Sequence, residues 1–234
     1  MRSIFSYDSK LMQALTFAAD VILLNLAFLV CSLPVVTGGA ALAGLHTGIR
    51  TLFDQENETP PLRAFFRGFA EGFWTVTGMH VILLAIGAAV VWTLSNLMLL
   101  RAEGVDAPVW VSIAALAVLA VFHTAGCYFH SRFGCRFGQF WRNTLYVVIF
   151  CPIQSLLLAA LFWLPAGVFL LDLDLFIALT PLWLALYFSL AAILGHFLMK
   201  RSFEKIRVMT TEEEAAEEGG EPETSERTER DPVR

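Results

Sequence analysis

Five stretches of this chain, at about residues 11–33, 76–100, 108–130, 144–171 and 175–199, run on with almost no charge. A helix rises ~1.5 Å per residue, so about twenty apolar residues bridge the ~30 Å hydrocarbon core of a bilayer. Each stretch is long enough to do so. An aqueous domain typically carries about 25% charged residues, whereas this chain has 16% charged against 57% hydrophobic. The sequence therefore predicts an all-α membrane protein of about five transmembrane helices. The formal net charge of −5 conceals an uneven distribution. From Glu212 onward there are ten acidic residues against three arginines, leaving thirteen basic against eleven acidic in the rest. The organisation expected is thus a multi-pass helical domain over 1–208 and a disordered acidic tail over 209–234. A nucleic-acid partner would need a basic face, so none is expected.

The first apolar stretch closes on Ser32-Leu33-Pro34-Val35-Val36-Thr37-Gly38-Gly39-Ala40-Ala41. Pro34 has no backbone N–H, and a Gly-Gly pair tolerates angles that other residues avoid. A continuous helix is not expected here. Freed backbone groups survive near lipid only where protein or water satisfies them. Leu33, Pro34, Thr37, Gly38 and Gly39 thus read as a structural bend. It aims 41–53 along the membrane face or back into it.

Asp20-Val-Ile-Leu-Leu-Asn25 followed by Ser32-Leu-Pro-Val-Val-Thr-Gly38 and Ala40-Ala41 resembles the amino-terminal signature of the YesL-like family, domain of unknown function 624. Phe65-Phe66-Arg67-Gly68-Phe69 resembles the phenylalanine-rich segment that the family carries before its second helix, although Gly72 stands where the family usually has Asn. The resemblance covers roughly residues 8–206. It implies a multi-pass bacterial inner-membrane protein associated with carbohydrate uptake, with ABC-transporter subunits as candidate partners and no established activity.

Between the apolar stretches, two segments interleave aromatic and charged residues. Leu62, Phe65, Phe66, Phe69 and Phe73 fall at helical spacing opposite Arg63, Arg67 and Glu71, as in an interfacial amphipathic helix. Ser131 to Asn143 repeats the idea with Arg132, Arg136 and Arg142 among Phe133, Phe137, Phe140 and Trp141, a hint of a weak internal repeat. Five passes would place the termini on opposite sides. On that count the start, the 101–107 loop and the 172–174 turn carry three basic residues, against ten on the other side. Basic loops stay cytoplasmic, so the chain is expected to sit in the cell membrane with its N-terminus outside and its C-terminus inside.

Polar residues inside these stretches are the candidates for chemistry. A carboxylate or amide in lipid is costly unless paired or wetted, which singles out Asp20, Asn25, Asn96 and Gln154. Asp20 reads either as a ligand or proton site, or as an interhelical hydrogen bond. His80, His123, His130 and His196 fall toward the same helix ends and could line a cavity titrating near neutral pH; interfacial anchoring explains them as well. The candidate binding residues are accordingly Asp20, Asn25, His80, His123 and His196. His123, Cys127 and His130 share one helix face, with Cys135 beyond, in a pattern that suits zinc or copper. Three ligands on one straight helix converge poorly on a single ion, so neither a metal nor a cofactor is expected. No nucleophile triad, phosphate loop or paired-carboxylate motif is visible, so the expectation is a non-enzymatic protein. The role it would fill is accessory or regulatory to carbohydrate uptake, with a small autonomous transporter or channel as the alternative.

Overall fold

The computed structural model describes residues 10–53, 59–100, 106–134 and 136–200. The acidic tail expected over 209–234, and Cys135, lie outside these. Among the described residues the chain is all-helical. The helices are α1 (Lys10–Ser32), α2 (Gly38–Phe53), α3 (Pro61–Leu100), α4 (Asp106–Phe133), α5 (Phe137–Phe150), α6 (Pro152–Leu171), α7 (Leu173–Ala178) and α8 (Thr180–Lys200). A 3-10 turn, Val35–Thr37, joins α1 to α2. Five of these, α1, α3, α4, α6 and α8, are long and apolar enough to cross a membrane. Their outer faces carry exposed apolar side chains such as Leu15, Leu26, Ile86, Val118, Leu156 and Leu190, as lipid contact requires.

The segment after the bend is not a surface element. Twelve of the sixteen residues of α2 are buried, and the helix lies among α1, α3 and α4 at the centre of the bundle. Its small residues explain this. A Cβ on Gly39 would lie 2.8 Å from the Cβ of His80, and one on Gly44 would lie 2.8 Å from the Phe65 carbonyl oxygen. Only hydrogen at these positions lets the α2 and α3 backbones approach so closely, which is how helices associate without a hydrophobic drive.

The amphipathic segment 62–74 is helical and two-faced as expected, yet it forms no separate interfacial element. It continues without a break into the apolar part of α3, which runs for 40 residues. Ala64 and Phe65 are fully buried where α3 meets α2, while Arg63, Arg67 and Glu71 remain exposed. The second aromatic-basic segment is divided. α4 ends at Phe133, with Gly134 at φ 53°, a backbone region that glycine enters without steric cost. α5 then begins at Phe137 and stops at Cys151, because Pro152 opens α6. The single helix expected over 144–171 is therefore two.

Ring contacts fix the directions. Phe17 lies 6.1 Å from Phe53, and Phe53 lies 5.4 Å from His196 and 5.0 Å from Phe197. Farther along, Phe28 lies 4.9 Å from Phe188. α1 and α8 are thus antiparallel, and the first turns of α1 share one end of the bundle with Phe197. Between α1 and α3, α2 runs back toward that same end.

Candidate functional site

At three places in this bundle a polar side chain satisfies backbone groups freed by a break or a proline. At the bend, α1 ends before Pro34, leaving carbonyls without helical partners. The Thr37 hydroxyl lies 2.6 Å from the Cys31 carbonyl oxygen and 2.8 Å from that of Pro34, so its single proton is shared between them. The Val35 carbonyl is met by Nε2 of His80 at 2.8 Å.

That contact settles the tautomers. A carbonyl only accepts, so His80 Nε2 carries the proton, and in a neutral ring Nδ1 is then the acceptor. His123 Nε2, 2.8 Å from that Nδ1, must be the donor. The chain of bonds runs from His123 through His80 to the bend. It leaves His123 Nδ1 as a buried lone pair with no partner among the described residues. Cys127 Sγ stands 3.7 Å from His123 Nε2. Gly38 and Gly39 pack on the His80 ring, so the bend motif and the histidine pair form one unit.

The second break is in α8. Pro181 lies in its first turn, and Trp183–Tyr187 is a π-helical stretch, in which bonds run from residue i to i+5. Asn25 of α1 is fully buried against it. Its Nδ2 donates to the carbonyls of Leu184 at 2.7 Å and Trp183 at 3.2 Å, and its Oδ1 accepts the Ser189 N–H at 3.1 Å. The third break is Pro165 inside α6, which cannot donate to the carbonyl of Leu161. The Tyr187 hydroxyl donates to that carbonyl at 2.6 Å, so the π stretch of α8 repairs α6 as well.

The residues singled out from sequence fall in different places. His80 and His123 meet directly. Asn25 serves the backbone of α8. Asp20 lies half-buried on α1, outside both groups. His196 stacks on Phe53 at the far end of α2, roughly 24 Å from the bend at ~1.5 Å per residue. His130 packs over Gly72, about two helical turns from the His80–His123 pair. The four histidines therefore do not line one cavity.

The residue that sequence reasoning missed is His46, on α2. It is buried edge-on to the rings of Tyr128, at 5.1 Å, and Phe162, at 5.3 Å. Neither ring nitrogen has a hydrogen-bond partner among the described residues. A neutral imidazole has one donor and one acceptor, and leaving both unmet in an apolar core costs a few kcal/mol. The usable signal was its setting, a histidine within a run of small residues destined for the core.

The fold and these contacts define a polytopic helical membrane protein in which Thr37, His80, Asn25 and Tyr187 cap backbone breaks. Residues 21–94 match the family described as "Protein of unknown function, DUF624", so the likeness read from the bend motif holds from the middle of α1 through α2 and most of α3. No curated protein and no solved structure matches the chain.

Proposed function

We propose that this protein is a non-enzymatic accessory or regulatory component of a solute-uptake system, carbohydrate being the solute class that the family likeness suggests. The observation that carries this reading is the use to which the polar residues are put. Thr37, His80, Asn25 and Tyr187 all hold broken backbone together around a central helix in van der Waals contact with its neighbours. That is the construction of a stable docking body. Copurification with ABC-transporter membrane subunits after in-cell crosslinking tests it. Transporter subunits absent from the crosslinked material would refute it. A small autonomous transporter is the second reading, favoured by His46, whose two unpartnered nitrogens suit a passing polar solute or proton. Solute flux into liposomes containing this protein alone would support that reading.

We infer that the bundle end shared by Phe17, Phe53 and Phe197 is cytoplasmic. Lys10, Arg50, Arg63, Arg67 and Arg132 all lie in the end turns of helices that converge there. Basic residues beside membrane helices are retained on the cytoplasmic side. The N-terminus would then be inside rather than outside. A tag ahead of Lys10 that external protease removes from intact cells would overturn this orientation.

A further inference from the structure

Where α2, α3 and α4 meet, Thr47, Arg50, Glu71, His130, Arg132 and Phe133 surround a cavity of about 350 Å³. That is the lower end of the ~300–1,000 Å³ range of small-molecule sites. Arg50 and Arg132 line it together with Glu71, and the Arg132 side chain also hydrogen-bonds Tyr128. The cavity stands beside the C-terminus of α4, whose free carbonyls would ordinarily repel an anion. Arg50 removes that obstacle, since its Nη1 donates to the Ser131 carbonyl at 3.0 Å and lies 3.4 Å from that of Arg132. The same bonds hold its guanidinium at the cavity wall. The Thr47 hydroxyl donates to the Ala43 carbonyl at 3.0 Å, so toward the cavity it offers only lone pairs. Glu71, when ionised, is also an acceptor only. Phe133 is 55% exposed at the rim and pairs with Phe129 at 4.9 Å, giving the opening an apolar lip.

We propose that this cavity binds a phosphate anion with a hydrogen-bond donor close beside it. Planar guanidinium groups match phosphate oxygens in paired bonds, which is the role of Arg50 and Arg132. The donor, an ammonium or a hydroxyl, goes to Glu71 and the Thr47 oxygen. This chemistry belongs to a glycerophospholipid headgroup, or to the same headgroup free in solution. The apolar lip at Phe133 suits the lipid, whose acyl chains would leave past it.

The test uses the full-length protein, purified in detergent and stripped of lipid, with titrations followed by native mass spectrometry and thermal shift. The probes are short-chain phosphatidylethanolamine, short-chain phosphatidylcholine, which has no donor, and free ethanolamine phosphate. Phosphatidylethanolamine should bind saturably and about tenfold tighter than phosphatidylcholine, a difference worth one strong hydrogen bond. Arg132→Gln should weaken it by about tenfold or more. Glu71→Gln, an exposed substitution that spares the fold, should bind the two lipids alike. Saturable binding of the free headgroup as well would support the site and assign it a soluble ligand; binding of the lipid alone would assign the membrane. No saturable binding of either to the folded parent would overturn the proposal. So would an Arg132→Gln protein that melts like the parent and binds unchanged, or a Glu71→Gln protein that still prefers phosphatidylethanolamine.

Discussion

Replacing Asn25 separates a structural amide from a functional one. Asn25→Leu keeps the branched shape at a somewhat larger volume and removes three hydrogen bonds, those to the Trp183 and Leu184 carbonyls and from the Ser189 N–H. Interhelical hydrogen bonds in membranes average about 0.6 kcal/mol and reach about 1.7, so three are worth roughly 2 and at most about 5 kcal/mol. For a chain of this size 1 kcal/mol moves the melting temperature by about 2–4 °C, so a fall of roughly 4–8 °C is expected. Asn25→Asp should be worse near neutral pH. It keeps the acceptor for Ser189 but sets a carboxylate against two carbonyl oxygens. Protonation would give it back one donor toward those carbonyls. Its deficit should grow as pH rises through and above the ordinary carboxylate range, and shrink on acidification. Asn96→Leu is the control, because among the described residues Asn96 bonds only the Trp92 carbonyl of its own helix, on an exposed face. Melting curves in mild detergent at two pH values suffice. An Asn25→Leu protein that melts within about a degree of the parent would show that the π stretch does not depend on this amide, and the capping argument would fail with it.

Gly39→Ala should cost about 1–3 kcal/mol, because its Cβ meets the His80 Cβ at 2.8 Å and the Val76 carbonyl at 3.2 Å, whereas Gly87→Ala, with open space around it, should leave the melting temperature equal or slightly higher. His80→Leu should lose about 1–3 kcal/mol by stranding the Val35 carbonyl and the His123 N–H, and His80→Gln, which can still donate, should recover part of it; equal melting of the two variants would speak against the His123–His80–Val35 bridge. Alkaline phosphatase fused after residues 104 and 173 should be active and after 57 and 137 inactive, and a tag ahead of Lys10 should resist external protease; activity at 57 would reverse the orientation.

What the sequence disclosed was set by local physics. Apolar length marked the five spans, and Pro34 with the glycine pair marked the bend, since both signals lie within one stretch of chain. The fate of 41–53 was not legible in the same way. Small residues give no strong hydropathy signal, and they reach the core only because α3 presents Gly68 and Phe65 to them. Length misled at Leu62, where charges on one side suggested a helix lying flat, although nothing at Trp74 stops the helix. The partners of the polar residues were beyond reach. The Leu184 carbonyl is 159 residues from Asn25, and Tyr187 reaches a carbonyl orphaned by a proline in another helix.

Those distant pairings bear on how polar residues in lipid are to be interpreted. An amide or imidazole inside a membrane helix is a functional candidate by default, because its desolvation has to be offset by something. Here the offset is visible for most of them. Backbone breaks at Pro34, Pro165 and the π stretch create donors and acceptors that lipid cannot satisfy, and Thr37, His80, Asn25 and Tyr187 supply the complements. The breaks in turn let α2 fold back into the centre and let α8 pack against α1. A residue so employed cannot change its protonation or its partner without opening the bundle, which argues against using it in a transport cycle. Among the described residues, the groups that no break consumes include His46 and the His123 Nδ1 inside the bundle.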